Sequence, residues 1–530
     1  MDRRSFLRDT LGSALLATLP AEALGQRTPT PVTPQWDAGR VRHLLPMVSD
    51  TRLLLKASFM RRLSGPPTLR VGRTSVLGRM TDTMGECWQF HATGLAPGSA
   101  HTMWLGTTDG HALCESWTVQ TLPPADAQPE HVRVLCFTCA GGPEGRGLTD
   151  GYLPTEVRNR LLRRGLSFEP HFAIANGDHV YWDLHAPRTP AERRDERRLK
   201  RFDESALVFG GTNETVLKEA VAPQIVPVYG TDFRSTPVFF LQDDHDYFDN
   251  DEGTDELVTL PSSWFRLQLA RATQRLYYPE FLPDATRPAN LPWTSQDGDR
   301  DVSESFGTLR YGRLLEMLLY DVRRTMTLAG PSATFVDPQV ERWLLKRTAA
   351  TEVTHLVHAP STPPGWTVGN WGEWYPDVLD ARGTLTTASP KPFWQPGWLS
   401  QHDRLLGAIA AQRGRVPLIV SGDIHAMGIG HIERAGTLDL RSHPVVSVLS
   451  GPLGTSPGGW PTQACGVGAT PPAHLDVREE LKPIEHHGFT IADFYTDRIV
   501  IRSFKWDVTT QSPEAIDTLE PSRTTEFRRG

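Results

Sequence analysis

The sequence predicts an α/β fold preceded by a smaller all-β domain. From about Val41 to Pro123, polar and apolar residues alternate in short runs, as half-buried antiparallel strands require. From Glu130 onward, short continuous apolar runs alternate with stretches of helical periodicity. A further pattern points at chemistry. Asn176-Gly177-Asp178-His179-Val180-Tyr181 and Ser421-Gly422-Asp423-Ile424-His425 each close a short apolar run, and Asp243-Asp244-His245-Asp246 lies between them.

Taken in order, residues 1–25 have the layout of a twin-arginine export signal. Arg3-Arg4 precedes Phe6-Leu7, a mild apolar run follows from Leu11 to Leu19, and Ala21-Glu22-Ala23 supplies a small-x-small cleavage pattern. That run falls short of the roughly 20 residues that cross a bilayer. The expected location is therefore periplasmic or secreted, with the twin-arginine translocase as a partner during export. Residues 26–40, rich in Pro and Thr as far as Pro34, read as a linker. Residues 41–124 form the all-β part, with strand-like alternation in Cys87–Thr93, His101–Leu105 and Trp117–Thr121. The turn Gly94-Leu95-Ala96-Pro97-Gly98 resembles the corner of a fibronectin-III/immunoglobulin-like sandwich, which usually precedes a strand carrying Tyr. Here His101 and Trp104 stand nearby instead.

Pro123-Pro124 and the polar stretch to Glu130 mark a boundary, after which the α/β domain spans 130–508. Its expected strands are Val132–Phe137, Phe172–Ala175, Val238–Leu241, Leu314–Tyr320, Thr354–His358, Leu418–Val420 and Val445–Leu449. Helices are expected at Leu153–Arg164, Pro261–Leu276, Pro338–Ala350 and Gln401–Gln412, with a closing hairpin of Phe489–Phe494 and Arg498–Phe504 around Thr496-Asp497. Residues 509–530 read as a C-terminal tail. Segments 361–399 and 451–473 read as long loops that line or cover a cleft. Their Trp366, Trp371, Trp374, Trp394 and Trp398 suggest a substrate with an apolar or planar portion.

Composition narrows the partners. A hydrophobic share of 39% and a charged share of 22% over 530 residues describe an ordinary globular protein, expected as a monomer. The net charge of −7, with no basic stripe interleaved with aromatics, argues against nucleic acid. The run Arg193-Arg194-Asp195-Glu196-Arg197-Arg198 mixes signs and reads as a solvated helix face. The five cysteines are Cys87, Cys114, Cys136, Cys139 and Cys465, an odd number that leaves at least one outside any disulfide. Cys87 and Cys114, in one small domain, are candidates for a pair.

Cys139, Asp178, Asp244 and Asp423 each follow an expected strand. The carboxyl ends of strands in an open α/β sheet gather at one edge, where ligands bind. An isolated Asp at a strand end is commonly a turn former. Four such ends carrying ligand-type side chains instead suggest a metal centre.

With these residues in place, the sequence resembles the PhoD-like alkaline phosphatases, a branch of the calcineurin-like metallophosphoesterases. The resemblance runs through Phe137-Thr138-Cys139, Gly177-Asp178-His179-Val180-Tyr181, Asp243-Asp244-His245-Asp246 with Asn250 behind it, and Gly422-Asp423-Ile424-His425. Weaker echoes are Asp321-Val322-Arg323, Gln339 with Trp343, and Arg404. The family implies a four-layer αββα sandwich and a site holding Fe(3+) beside one or two Ca(2+), with other divalent metals as alternatives. Cys139 and Tyr181 would bind iron, Asp178 would bridge, and Asp423 and His425 would complete the cage. Asp244 and Asn250 would serve the calcium side. Thiolate and phenolate suit a ferric ion, and carboxylate and amide oxygens suit calcium. Two departures stand out. The family's Glu after the histidine is Asp246, and Ala140-Gly141-Gly142-Pro143 reads as a more flexible loop than the family's continuation.

The implied reaction is hydrolysis of a phosphate ester, the substrate being a small molecule, a lipid or a polymer. His245 would protonate or orient the leaving oxygen. Arg323 would either grip a phosphate oxygen or pair with Asp321. A phospholipase-type phosphodiesterase and a metal-stabilised binding protein with little turnover are the alternatives. Gly454-Thr455-Ser456-Pro457-Gly458 matches a nucleophile elbow, but Pro457 has no N–H for an oxyanion hole. Cys136-Phe137-Thr138-Cys139 has redox spacing, but Gly141-Gly142-Pro143 continues as a loop where such motifs cap a helix. Cys136 is expected to pack in its strand. His355, His358, His486 and His487 are expected to be packed or surface residues, with His358 the best placed to join the site.

Overall fold

The structure, a computed structural model, describes residues 36–148, 151–182, 202–247, 264–281, 306–327, 330–367, 396–455, 458–460, 462, 468–472 and 474–530. The export-signal segment, Asn250, Cys465, the 193–198 charge run, Ser456-Pro457, Trp371, Trp374 and Trp394 lie outside the described residues. Contacts separate Met1–Asp37 from Ala38–Gly530, and the second unit is described here.

Eight strands open it: β1 (Val41–Val48), β2 (Leu53–Phe59), β3 (Thr68–Val71), β4 (Thr74–Leu77), β5 (Arg79–Met80), β6 (Cys87–Ala92), β7 (Ala100–Gly106) and β8 (Trp117–Gln120). They form two four-stranded antiparallel sheets ordered β1-β2-β6-β5 and β4-β3-β7-β8. β8 keeps the clean inward–outward alternation of a half-exposed strand. β2 is buried along its whole length, and its Lys56 reaches the Glu280 carboxylate at 2.8 Å. At the turn after β6, His101 Nε2 bonds the Ala96 carbonyl at 3.1 Å, and the Thr121 hydroxyl donates to the same carbonyl at 2.7 Å. Cys87 is a buried free thiol on β6, so no disulfide joins it to Cys114.

The next strands are β9 (His131–Phe137), β10 (Phe172–Asn176), β11 (Val238–Leu241), β12 (Phe306–Tyr311), β13 (Leu315–Tyr320), β14 (His355–Pro360) and β15 (Leu418–Ser421). They are followed by β16 (Met427–Ala435), β17 (Leu438–Asp439), β18 (Val445–Ser450), β19 (Leu475–Ile484), β20 (His487–Tyr495), β21 (Arg498–Trp506) and β22 (Arg523–Arg528). One sheet has the order β11-β10-β9-β20-β21-β22, and the other runs β12-β13-β14-β15-β18-β16-β17 with β19 paired to β16. β9, β10 and β11 are parallel, as are β13, β14, β15 and β18. Their β-branched and aromatic runs are buried on both faces, as parallel strands require. Ala175 pairs Phe137 and Asn176 pairs Leu241, so the three chains leave their strands at one edge. The second sheet meets that edge through Thr138, whose hydroxyl donates to the Asn176 carbonyl at 2.6 Å and accepts the Asp423 N–H at 3.1 Å.

Among the described residues, five helices flank the sheets: α1 (Thr155–Leu166), α2 (Thr212–Tyr229), α3 (Trp264–Tyr277), α4 (Pro338–Thr348) and α5 (Pro396–Ala410). α2 escapes a sequence reading because Pro223 and Pro227 remove backbone donors inside it, and burial of Leu217, Val221 and Ile225 compensates. α5 begins at Pro396, which shortens the expected 361–399 loop from its far side. Trp366 and Trp398 are core residues instead of cleft linings: their indole N–H groups donate to Glu479 and to the Thr327 carbonyl, each at 2.9 Å. Residues 509–530 are no tail. Pro513–Thr518 forms a 3₁₀ turn against α1, and β22 completes the first sheet by pairing with β21. Alternate positions, Thr525 and Phe527, are buried there.

Candidate metal centre

The site sits where the two sheets meet. Cys139, Asp178, Asp423 and His425 have φ of 50°, 59°, 74° and 49°. Glu169 is the one other non-glycine residue with positive φ among the described residues. Left-handed backbone is costly for residues with a Cβ, and it persists where surrounding contacts over-determine it. The glycines of both Gly-Asp pairs have steric reasons. A Cβ on Gly177 would stand 2.6 Å from the Asp243 Cβ, and one on Gly422 would run into the Asn176 carbonyl and the Thr138 hydroxyl.

These turns converge on three overlapping donor groups, each with its ligand atoms within 4.8 Å of one another: Cys139–Asp178–His425, Asp178–Asp244–His245 and Asp243–Asp244–Asp423. Asp178 belongs to the first two and Asp244 to the last two. Tyr181 joins the first, its hydroxyl donating to Asp178 Oδ2 at 3.0 Å, and the Cys139 thiol approaches the same oxygen at 3.3 Å. The other oxygen of Asp178, with Asp243 Oδ2 and Asp244 Oδ1, is buried without a hydrogen-bond partner. Orphaned carboxylate oxygens pointing into one space are what a bound cation would satisfy. The donor set therefore fits the implied metals, with sulfur, phenol and imidazole on one side and carboxylates on the other.

The electrostatics agree. Burial, and then the Asp244 charge, holds the Asp178 carboxyl well above the usual range. Asp423 is raised by burial and by Asp243 and Asp244. Burial and the Asp178 charge push up both the Cys139 thiol and the Tyr181 phenol. A cation among them reverses the sign of that balance and favours every ionised donor.

Buried side chains hold the turns. Asp246 accepts four backbone N–H groups: His179 and Val180 on Oδ1, Asp178 and Asp243 on Oδ2, at 2.9–3.0 Å. The residue one methylene shorter than the family's Glu is thus a clamp tying the first metal loop to the second. Arg158, from α1, donates to the carbonyls of Ala140, Gly141, Gly142 and Pro143 at 3.2, 2.9, 3.0 and 2.8 Å. The loop expected to be flexible is therefore gripped residue by residue, and a Cβ on Gly141 would lie 2.5 Å from the His179 carbonyl. His179 is a neutral strut, its Nε2–H on the Leu241 carbonyl at 2.8 Å and burial lowering it to about 4.

Of the residues expected from sequence, Cys139, Asp178, Tyr181, Asp244, Asp423, His425 and His245 come together here, and Asn250 lies outside the described residues. His425 directs Nδ1 at the Thr455 carbonyl, 3.2 Å away, which leaves Nε2 as its basic nitrogen. His245 is nearly buried, its ring 4.1 Å from that of Tyr181 and its Nε2 3.9 Å from Asp244 Oδ2. Arg323 engages carboxylates other than the Asp321 expected as its ion-pair partner. Its guanidinium meets Asp243 Oδ1 at 2.6 Å and Asp423 Oδ2 at 3.2 Å, while its backbone N–H meets Asp321. Asp321 instead receives the Tyr247 hydroxyl. His358 is packed between the Tyr320 and Thr348 hydroxyls, and Arg404 forms a half-exposed pair with Glu341. Sequence reasoning missed Asp243 as a donor, although it stands beside Asp244 in the same motif. It also missed Arg158, which carries no signal on a helix that also bears Arg160, Arg163 and Arg164.

No family model matches the sequence, and no curated protein matches it. Solved structures do. PhoD aligns with a TM-score of 0.58 at 13% identity, covering 94% of this chain and 92% of that one. Purple acid phosphatase PPD1 from yellow lupin seeds aligns with a TM-score of 0.54 at 10% identity, covering 93% and 75%. At such identities the likeness is one of fold: the chain shares the fold of PhoD and of the lupin purple acid phosphatase.

Proposed function

We propose that the chain is a metal-dependent phosphoesterase that hydrolyses phosphate monoesters, diesters or both. The observation that carries this reading is the convergence of three donor groups on left-handed turns, with three buried carboxylate oxygens left without partners. Cys139, Tyr181, Asp178 and His425 would hold Fe(3+), and Asp178, Asp243, Asp244 and Asp423 would hold Ca(2+) or another divalent ion. When bound, such ions supply Lewis acidity, activating water and neutralising phosphoryl oxygens.

The chain's own residues do the rest. Asp178 spans both halves and sets their separation. Arg323 offsets the charge of Asp243 and Asp423 and keeps them oriented. His245, beside Tyr181 and Asp244, is positioned to deliver a proton to the departing oxygen. On the sequence reading of residues 1–25, the enzyme works in the periplasm or outside the cell. The finer architecture belongs to the same reading: the two large sheets are the inner layers of an αββα sandwich, and residues 41–124 are a fibronectin-III/immunoglobulin-like domain ahead of it. The test is metal analysis beside turnover of aryl phosphate monoesters and diesters by the native protein, Asp178→Asn and His245→Ala. Full activity in Asp178→Asn would sink the proposal. An active protein without iron would sink the thiolate–phenolate assignment alone.

A further inference from the structure

Six large apolar side chains are exposed among the described residues: Met60, Leu77, Met80, Met84, Leu207 and Trp264. The first four fall between Met60 and Met84. The same stretch is unusual in charge. From Met60 to Met80 there are five arginines (Arg61, Arg62, Arg70, Arg73 and Arg79) and no Asp or Glu, in a chain whose net charge is −7. All five arginines are exposed.

Backbone pairing brings the two ends of the stretch together. Phe59 and Leu63 donate their N–H groups to the carbonyls of Glu86 and Gly85, both at 2.9 Å. Met80 pairs with Trp88, and the Thr81 N–H meets the Cys87 carbonyl at 2.9 Å. Met60-Arg61-Arg62 and Arg79-Met80 with Met84 therefore flank one edge of the β1-β2-β6-β5 sheet. The acids that adjoin it are already engaged. Lys218 Nζ lies 2.8 Å from Asp82 and 2.6 Å from Glu86, and Glu214 accepts the Thr83 N–H at 2.7 Å. The exposed side chains of this corner include arginines and methionines.

We propose that this face, centred on Met60, Arg61, Arg62, Arg79, Met80 and Met84, docks the protein on an anionic phospholipid surface. Charge complementarity favours that occupant. Guanidiniums can meet lipid phosphates while the neighbouring methionines enter the headgroup–acyl boundary, the division of labour of interfacial binders. A purely polyanionic partner would leave the apolar tips without a role. The proposal is independent of the phosphoesterase reading, because its test reads binding and not turnover.

The experiment is sedimentation of the full chain with vesicles of equal parts phosphatidylglycerol and phosphatidylcholine, and with phosphatidylcholine vesicles. The native protein binds the mixed vesicles and not the zwitterionic ones. A variant carrying Arg61→Glu, Arg62→Glu and Arg79→Glu loses about a hundredfold or more in vesicle affinity. A second variant, with Met60→Ser, Met80→Ser and Met84→Ser, also binds less while its salt dependence is kept. All positions are exposed, and an unchanged melting temperature verifies the fold of each variant. Equal binding to both vesicle types, or unchanged binding by the arginine variant, overturns the proposal. So does soluble polyphosphate binding as tightly as vesicles while the methionine variant is unaffected.

Discussion

Arg158 and Arg323 are both fully buried, and each braces one half of the candidate metal centre, yet they meet different partners. Arg158 spends its donors on the carbonyls of four successive residues behind Cys139 and touches no carboxylate in doing so. Arg323 pairs with Asp243 and Asp423, two members of the carboxylate group. The first fixes the shape of a loop. The second balances charge that a cation would also balance. The half with sulfur and imidazole thus depends on backbone geometry, and the carboxylate half depends on electrostatics.

That contrast can be broken in order of effect. Asp178→Asn removes the ligand common to both halves, so turnover and bound metal should fall together by about a hundredfold or more, read by metal analysis and steady-state kinetics. Arg323→Met should cost about 3–5 kcal/mol in urea unfolding of chelator-treated protein, because it strands buried carboxylates. The cost should shrink when metal is restored. Arg158→Met should lower stability by a similar amount with or without metal, since carbonyl groups gain nothing from a distant cation. If the two variants respond alike to chelator, the contrast fails. Asp246→Asn, which turns one oxygen facing two backbone N–H groups into an N–H donor, should cost about 1–3 kcal/mol and weaken metal binding about 10–100-fold. The smallest effect belongs to Cys136→Ala. That thiol packs inside β9 with burial pushing it up to about 12, so its loss should cost about 1 kcal/mol and leave metal content unchanged. A drop in metal on Cys136→Ala would revive a role for the Cys-x-x-Cys spacing.

The strand-end donors were legible because a parallel strand is a short apolar run and its exit is marked by Gly-Asp. The seven strands read from the α/β region coincide with observed strands to within a residue or two at each end. Helix α2 was not legible, since two prolines mask its periodicity while tertiary burial holds it. Strand β22 was not legible either, because Arg523–Arg528 is polar at five of its positions and gains strand character only from pairing with β21. Trp366 and Trp398 misled in the opposite direction. Tryptophans amid Pro and Gly suggest a cleft, but each finds an acceptor for its indole N–H within a packed core.

The sequence by itself determined which residue types could bind metal, and the order in which strands would deliver them. It also carried the alternation of an N-terminal β region. Those are local properties, set by side-chain chemistry and by periodicities of two and 3.6 residues. Only the tertiary structure decided that Asp243 shares the site, that Arg323 pairs with two of the candidate donors, and that Arg158 grips the Cys139 loop. Those contacts join residues far apart in sequence, as Arg323 with Asp423 and Asp243 with Asp423. Their geometry follows from sheet register and the meeting of two sheets, which no local pattern encodes.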